Sequence, residues 1–202
     1  MGEAVRHMFA AIAQHYDLLN TVLSFGLHHR WRRQAVAHSG VFPGTRLLDV
    51  CSGTADLALA FAQHLGPQGQ VIATDFCPAM LTRGSRKALQ RRVRLTCALA
   101  DAQCLPFCDA VFDVVTVAFG LRNVDSLATA MREMYRVLRP EGMALVLEFG
   151  QPHGAMFGPL YRFLRVISCH ASAPGCLDIL RRTPICHALP RCFPLAGCSC
   201  GR

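Results

Sequence analysis

RLLDVCSGTADLALAFAQHL, residues 46–65, decides the architecture. An apolar strand, Arg46–Cys51, runs into the turn Gly53-Thr54-Ala55 and continues as a helix to about Leu65, where Gly66-Pro67 stops it. Toward the C-terminus the alternation repeats. Gln70–Thr74 reads as a strand, Pro78–Arg91 as a helix and Val93–Ala98 as a third strand, followed by a loop through Pro106. Val114–Ala118 is a fourth strand, and Leu127–Leu138 is a helix ending at Arg139-Pro140-Glu141-Gly142. Met143–Phe149 is a fifth strand. Short apolar strands alternating with helices imply a parallel, doubly wound α/β sheet of Rossmann-like form with right-handed crossovers.

Toward the N-terminus, residues 4–38 read as two helical pieces joined around Ser24-Phe25-Gly26. Val5, Met8, Phe9, Ile12, Tyr16 and Leu19 recur at three- and four-residue steps and make one apolar face. Beyond Arg165 the periodicity fades. Six cysteines, from Cys169 to Cys200, crowd among Pro174, Pro184, Pro190 and Pro194. The expected layout is a helical lid over 1–42, a ligand-binding core over 43–165 and an irregular Cys/Pro-rich tail over 166–202.

Composition narrows the class. The 52% hydrophobic share suffices for a sheet core covered on both faces. No run approaches the ~20 apolar residues of a membrane helix, and the N-terminus lacks a secretory pattern. A cytoplasmic protein is therefore expected, with its 11 cysteines as thiols. The net charge of +8 gathers at Arg30, Arg32 and Arg33 around Trp31, and at Arg83, Arg86, Lys87, Arg91, Arg92 and Arg94. Such clusters are either solvated helix faces or a footprint for an acidic partner, nucleic acid or an anionic membrane. Cys198-x-Cys200 with His170 or His187 lacks the paired spacing of a zinc site, so no metal is expected.

Open α/β sheets bind ligands beyond the carboxyl ends of their strands. After strand one, Gly53 allows a sharp turn and close backbone approach, and the Thr54 hydroxyl is placed to meet a ligand carboxylate. The alternative is an ordinary helix start capped by Thr54 or Asp56. After strand two, the Asp75 carboxylate is suited to accept both hydroxyls of a ribose. After strand three, Asp101-Ala102 is suited to an adenine, walled by Leu105, Pro106 and Phe107. The turn lacks G-x-G-x-x-G and so offers no pyrophosphate cradle. S-adenosylmethionine, a nucleoside without phosphate, is the cofactor this ordered set implies.

Five segments carry a family resemblance: MFAAIAQHYDLLNTVLSFGLHHRWRR (8–33), LLDVCSGTAD (47–56), VTVAFGLRNV (115–124), EMYRVLRPEG (133–142) and LEFGQP (147–152). Over about residues 4–165 the chain resembles the ubiquinone/menaquinone biosynthesis C-methyltransferases. Gly-Thr-Ala-Asp at the turn is similar to the menaquinone branch. Asp101 stands where Asn is usual, and Ala118 where a serine is frequent. The resemblance implies a class I methyltransferase sheet, S-adenosylmethionine held by Gly53, Thr54, Asp75, Asp101 and Ala102, and a polyprenyl quinol as acceptor. It implies Arg122, Tyr16 and Asp56 as a catalytic network at the quinol oxygen. Further expectations are peripheral contact with the inner face of a membrane (the matrix side in a mitochondrion) and a biosynthetic complex or homodimer. Because the resemblance ends near Arg165, the last two strands of such a sheet are expected to be missing and the edge of strand five exposed. A catalytically impaired isoform is then the alternative to an active enzyme; an RNA methyltransferase is a weaker one.

Overall fold

The computed structural model describes residues 3–149 and 164–170. Among the described residues, α1 (Glu3–Ile12), α2 (Tyr16–Leu23) and α3 (Leu27–His38) lead into β1 (Arg46–Val50). Then follow α4 (Asp56–Leu65), β2 (Gln70–Asp75), α5 (Pro78–Gln90), β3 (Thr96–Leu99), β4 (Phe112–Ala118), α6 (Leu127–Val137), β5 (Leu138–Phe149) and β6 (Leu164–His170). Leu47, Leu48 and Val50 of β1 are all buried, on both faces, which suits a central strand. β1 pairs in parallel with β2 on one side and β4 on the other, and the full order is β3-β2-β1-β4-β5-β6.

Two apolar clusters sandwich the sheet. Ala35 and Val36 of α3, with Leu57, Ala58, Phe61 and Leu65 of α4, pack over Leu47, Val71 and Ala73. Ala130, Met134 and Val137 of α6 pack with Leu48, Val50, Val115 and Val117. Strand order reverses between β1 and β4, so the connections that leave their carboxyl ends run to opposite faces of the sheet and open a crevice there. The Rossmann-like fold expected from sequence is the fold observed.

Local differences have local causes. The N-terminal region forms three helices, because the chain turns at Ala13–His15, where the His15 amide bonds the Ile12 carbonyl at 2.9 Å. That turn buries Ala13 with Cys77 and Met80 and brings Phe9, Ile12 and Tyr16 against them. β3 starts at Thr96 rather than Val93, because Val93 finishes α5. Its amide bonds Ala88 O at 3.0 Å and that of Arg92 (φ 54°) bonds Leu89 O at 3.1 Å, a Schellman closure. β5 begins directly at Leu138, opposite Phe112, with a register shift before Val114 meets Met143. The expected exposed edge of β5 is corrected: β6 pairs antiparallel along it, from Met143 opposite His170 to Phe149 opposite Leu164. The expectation of thiols is corrected at Cys104 and Cys108, which are disulfide-bonded, whereas Cys51, Cys77 and Cys97 are free. The tail cysteines after Cys169, and His187, lie outside the described residues.

Candidate functional site

Three backbone kinks shape the tip of β1. Cys51, Gly53 and Ala55 have φ of 53°, 56° and 60°, all left-handed, the non-glycine ones costing on the order of 1 kcal/mol each. The tip is locked by the Ser52 amide to Thr74 O at 2.8 Å and the Ala55 amide to Ser52 O at 2.9 Å. Across the crevice, Gly120 follows β4. A Cβ there would lie 2.3 Å from the Cβ of Cys51, so only glycine lets the two tips approach this closely. Phe119, at φ 57°, bonds Leu147 O through its amide and lies 6.3 Å from the Trp31 ring. Trp31 thus packs inward on this loop.

Carboxylates cluster here. Asp75 accepts the Gly53 amide on Oδ2 at 2.8 Å and the Cys77 amide on Oδ1 at 2.9 Å. Burial raises its pKa, and the amides of Cys77, Gly53 and Phe76 restrain the rise. Asp49 of β1 is 1% exposed. It accepts hydroxyl bonds from Ser52 at 2.5 Å and Thr116 at 2.7 Å, and the Ala58 amide. Ala58 is the third residue of α4, whose N-cap Ala55 has no capping side chain, so Asp49 supplies the missing acceptor from a neighbouring strand. Burial pushes its pKa up to about 6 despite those bonds. Burial, then the charges of Asp75, Asp49, Asp101 and Glu148, raise the pKa of Cys51 and keep it a neutral thiol.

Between the tips lies an open-mouthed pocket of about 360 Å³, mouth included. Gly53 and Cys51 line it from β1, Asp75 and Phe76 from β2, and Ala118, Phe119, Gly120 and Asn123 from β4. Phe9 and Tyr16 close it from the N-terminal helices, with Met80 beneath. Phe9 packs edge-on against both Tyr16 and Phe76.

Of the residues singled out from sequence, Tyr16, Gly53 and Asp75 meet in this pocket. Asp101 lies close enough to Cys51 to act on its charge, and its Oδ1 accepts the Gln103 amide at 2.9 Å; Ala102 is buried in the core beside it. Arg122 is exposed on the short turn Leu121–Asn123, where its neighbour Asn123 takes the lining position. Thr54 is 2% exposed, with its hydroxyl donating to Asp17 Oδ1 at 2.6 Å and accepting from Lys87 Nζ at 3.0 Å, so it is not presented to a ligand carboxylate. Asp56 pairs with Lys87 at 2.5 Å and Arg32 at 3.0 Å, not with Tyr16 or Arg122. The expected Arg122–Tyr16–Asp56 network is thus not assembled.

Sequence reading missed Cys51, Phe76, Phe119 and Gly120, although the strand-tip rule reaches all four. Asp17, within the quoted segment 8–33, and Lys87, in the second basic cluster, stand 70 positions apart, and nothing in the sequence signals that they pair. Among the described residues, no cluster of three potential metal ligands occurs, and no helix is long and apolar enough to cross a membrane.

Comparison with known proteins adds independent findings. The model of the ubiE/COQ5 methyltransferase family matches residues 1–167. The chain is 45% identical over 161 residues to the ubiquinone/menaquinone biosynthesis C-methyltransferase UbiE of Bdellovibrio bacteriovorus, covering 80% of this chain and 68% of that one. It is 44% identical over 163 residues to the 2-phytyl-1,4-naphtoquinone methyltransferase of a Synechocystis strain, covering 80% and 68%. Across such relatives it spans 63% to 68% of their length. A solved S-adenosylmethionine-dependent methyltransferase fold from Methanococcus maripaludis, itself described as putative, superposes with a TM-score of 0.61 at 20% identity. The overlap covers 69% of this chain and 64% of that one.

Proposed function

Because this chain belongs to the ubiE/COQ5 methyltransferase family, we propose that it is an S-adenosylmethionine-dependent C-methyltransferase acting on the ring of a polyprenyl quinol, of the demethylmenaquinol or demethoxyquinol type. The observation that carries the reading is the Asp75 carboxylate, fixed by the Gly53 and Cys77 amides at the mouth of the switch-point pocket. Each of its oxygens keeps acceptor capacity for a ribose hydroxyl. The donor set suits a sulfonium cation as well, because Asp75, Asp49, Asp101 and Glu148 make the surroundings of Cys51 negative and the pocket wall is aromatic. Gly53 admits close backbone approach, and Asp101-Ala102 is the adenine side of the same reading. When bound, S-adenosylmethionine supplies an electrophilic methyl group.

The chain's own work is to orient and to exclude water. Phe9, Tyr16, Phe76 and Phe119 form an apolar, aromatic wall suited to a quinol ring. The reduced form is the substrate, since a phenolate oxygen makes the adjacent ring carbon nucleophilic and the ring proton leaves after the carbon–carbon bond forms. In this reading Tyr16, which lines the pocket, hydrogen-bonds that oxygen, and Arg122, on the turn beside the lining residue Asn123, is the cation that stabilises it. Asp56 acts at one remove, through its ion pairs.

A polyprenyl tail calls for a lipid-facing entrance. Leu18 and Val22 of α2 are each 61% exposed, Phe25 in the turn that follows is 75% exposed, and exposed Arg30 and Arg33 come next on α3. That combination supports peripheral contact with an anionic membrane. The test is a calorimetric titration with S-adenosylmethionine, followed by transfer of labelled methyl to reduced demethylmenaquinol. Saturable binding with label in the quinol is expected. Absence of binding overturns the reading, and binding without transfer assigns the chain the impaired form.

A further inference from the structure

On α2, Leu18, Leu19 and Val22 are exposed, and Tyr16, at the helix start, packs beside Ala13, Cys77 and Met80 and lines the pocket. The further ties of α2 to the core are polar. Asp17 receives Arg83 Nε at 3.0 Å, Lys87 Nζ at 3.2 and 3.3 Å, and the Thr54 hydroxyl at 2.6 Å. Lys87 in turn spends its three N–H donors on Asp17, on Thr54 at 3.0 Å and on Asp56 at 2.5 Å. One ammonium group therefore binds the lid, the β1 turn and the first turn of α4.

Local geometry makes this possible. Arg83 and Lys87 stand four apart on one face of α5. Between them, Gly84 lets the helix approach the turn so closely that a Cβ would lie 2.9 Å from that of Ala55. The Lys87 and Asp56 side chains are 13% and 16% exposed, so the pairing is shielded from the screening that weakens surface ion pairs. Asp17 adjoins Tyr16, whose Cε1 lies 3.8 Å from the point where a Cβ on Gly53 would stand. Fixing Asp17 against Lys87 thereby fixes the Tyr16 ring against the Gly53 turn.

We propose that Lys87 and Asp17 form a positioning latch that holds Tyr16 on the quinol side of the pocket and touches neither cofactor nor quinol. The link to transfer rests on the reading of Tyr16 given above; the latch itself rests on the ion network alone.

The test is Lys87→Met, which keeps the length of the side chain and removes its charge. The kcat for quinol methylation falls at least tenfold, while the Kd for S-adenosylmethionine changes less than threefold. Lys87→Arg restores most of the rate. In a Tyr16→Phe background, Lys87→Met costs less than twofold, because the residue it positions has already lost its hydroxyl. Independently of activity, hydrogen exchange of the α2 amides quickens at least tenfold relative to those of β1 and β2. Unchanged exchange in α2, fully multiplicative losses in the double variant, or parallel losses of cofactor affinity and kcat would each overturn the proposal. A wild-type chain that methylates no quinol sinks the functional reading, and α2 exchange still decides the latch.

Discussion

The two walls of the pocket are built on different principles. The sheet side, from Cys51 to Ala55 and at Asp75, is backbone held by backbone: left-handed kinks, amides on a carboxylate, and a glycine across the crevice. The helical side is held by side chains, with the Asp17–Lys87–Asp56 pairs and a few edge-on rings between α1–α3 and the core. Walls of the first kind break locally and severely when one group is lost. Those of the second kind shift and take the substrate's half of the site with them.

Asp75→Ala strikes the sheet wall hardest. It removes the proposed ribose acceptor and leaves the Gly53 and Cys77 amides without their carboxylate. Affinity for S-adenosylmethionine is expected to fall at least about 100-fold, equivalent to roughly 2.7 kcal/mol. Asp75→Asn, which retains one acceptor oxygen, should lose less. Equal affinity for wild type and Asp75→Ala in a titration would remove the sheet wall from the binding site altogether.

Next in size is a contrast between two glycines. Gly120→Ala forces a Cβ to within 2.3 Å of the Cys51 Cβ and should destabilise by about 3 kcal/mol, because both tips must move. Gly53→Ala meets only Tyr16, at 3.8 Å, so its cost is the left-handed φ alone, roughly 1 kcal/mol. Denaturant midpoints for the two variants measure the difference. The reverse order would mean that conformational strain outweighs steric contact at these tips.

Asp49 gives a pH-dependent version of the same contrast. Its folded pKa, raised from 3.8 to about 6, means that the folded state holds the proton more tightly than the unfolded one. The resulting stabilisation is full below pH 3.8 and is lost as pH rises through 6. Relative to Asp49→Asn, which does not titrate, wild type should therefore lose about 2 kcal/mol between pH 4 and pH 7. Unfolding curves at the two pH values measure it. A constant difference would place the Asp49 pKa near its unfolded value.

These differences also explain what the sequence disclosed. The strand–turn–helix period, Gly53 and Asp75 follow from local pattern plus the rule that ligands sit at strand tips, so both the sheet and the centre of the site were legible. Asp49 reads in the sequence as an ordinary strand residue, because only its burial and three donors distinguish it from any other polar position. Thr54 and Asp56 read from sequence as ligand-facing because their partners, Asp17, Lys87 and Arg32, come from other elements, and no spacing rule joins residues 24 to 37 positions apart. Gly120 was visible as a residue, but its reason, the Cβ of Cys51, exists only once β1 and β4 lie side by side.

The smallest effect on stability belongs to the outside of the helical wall, and there the comparison is sharpest. Leu18 and Val22 are exposed, so Leu18→Ser with Val22→Ser removes little buried area and should change stability by less than about 0.5 kcal/mol. If the α2 face meets lipid, the same pair should weaken sedimentation with vesicles containing anionic lipid several-fold, while affinity for S-adenosylmethionine stays unchanged. Raising the salt should weaken wild-type vesicle binding as well, since Arg30 and Arg33 supply the long-range attraction. Apolar contact survives salt and charge attraction does not, so the two manipulations separate the contributions. Vesicle binding that is indifferent to both would place the membrane-facing surface elsewhere, and the exposed leucine and valine would then be no more than the solvent side of a helix held by its ion pairs.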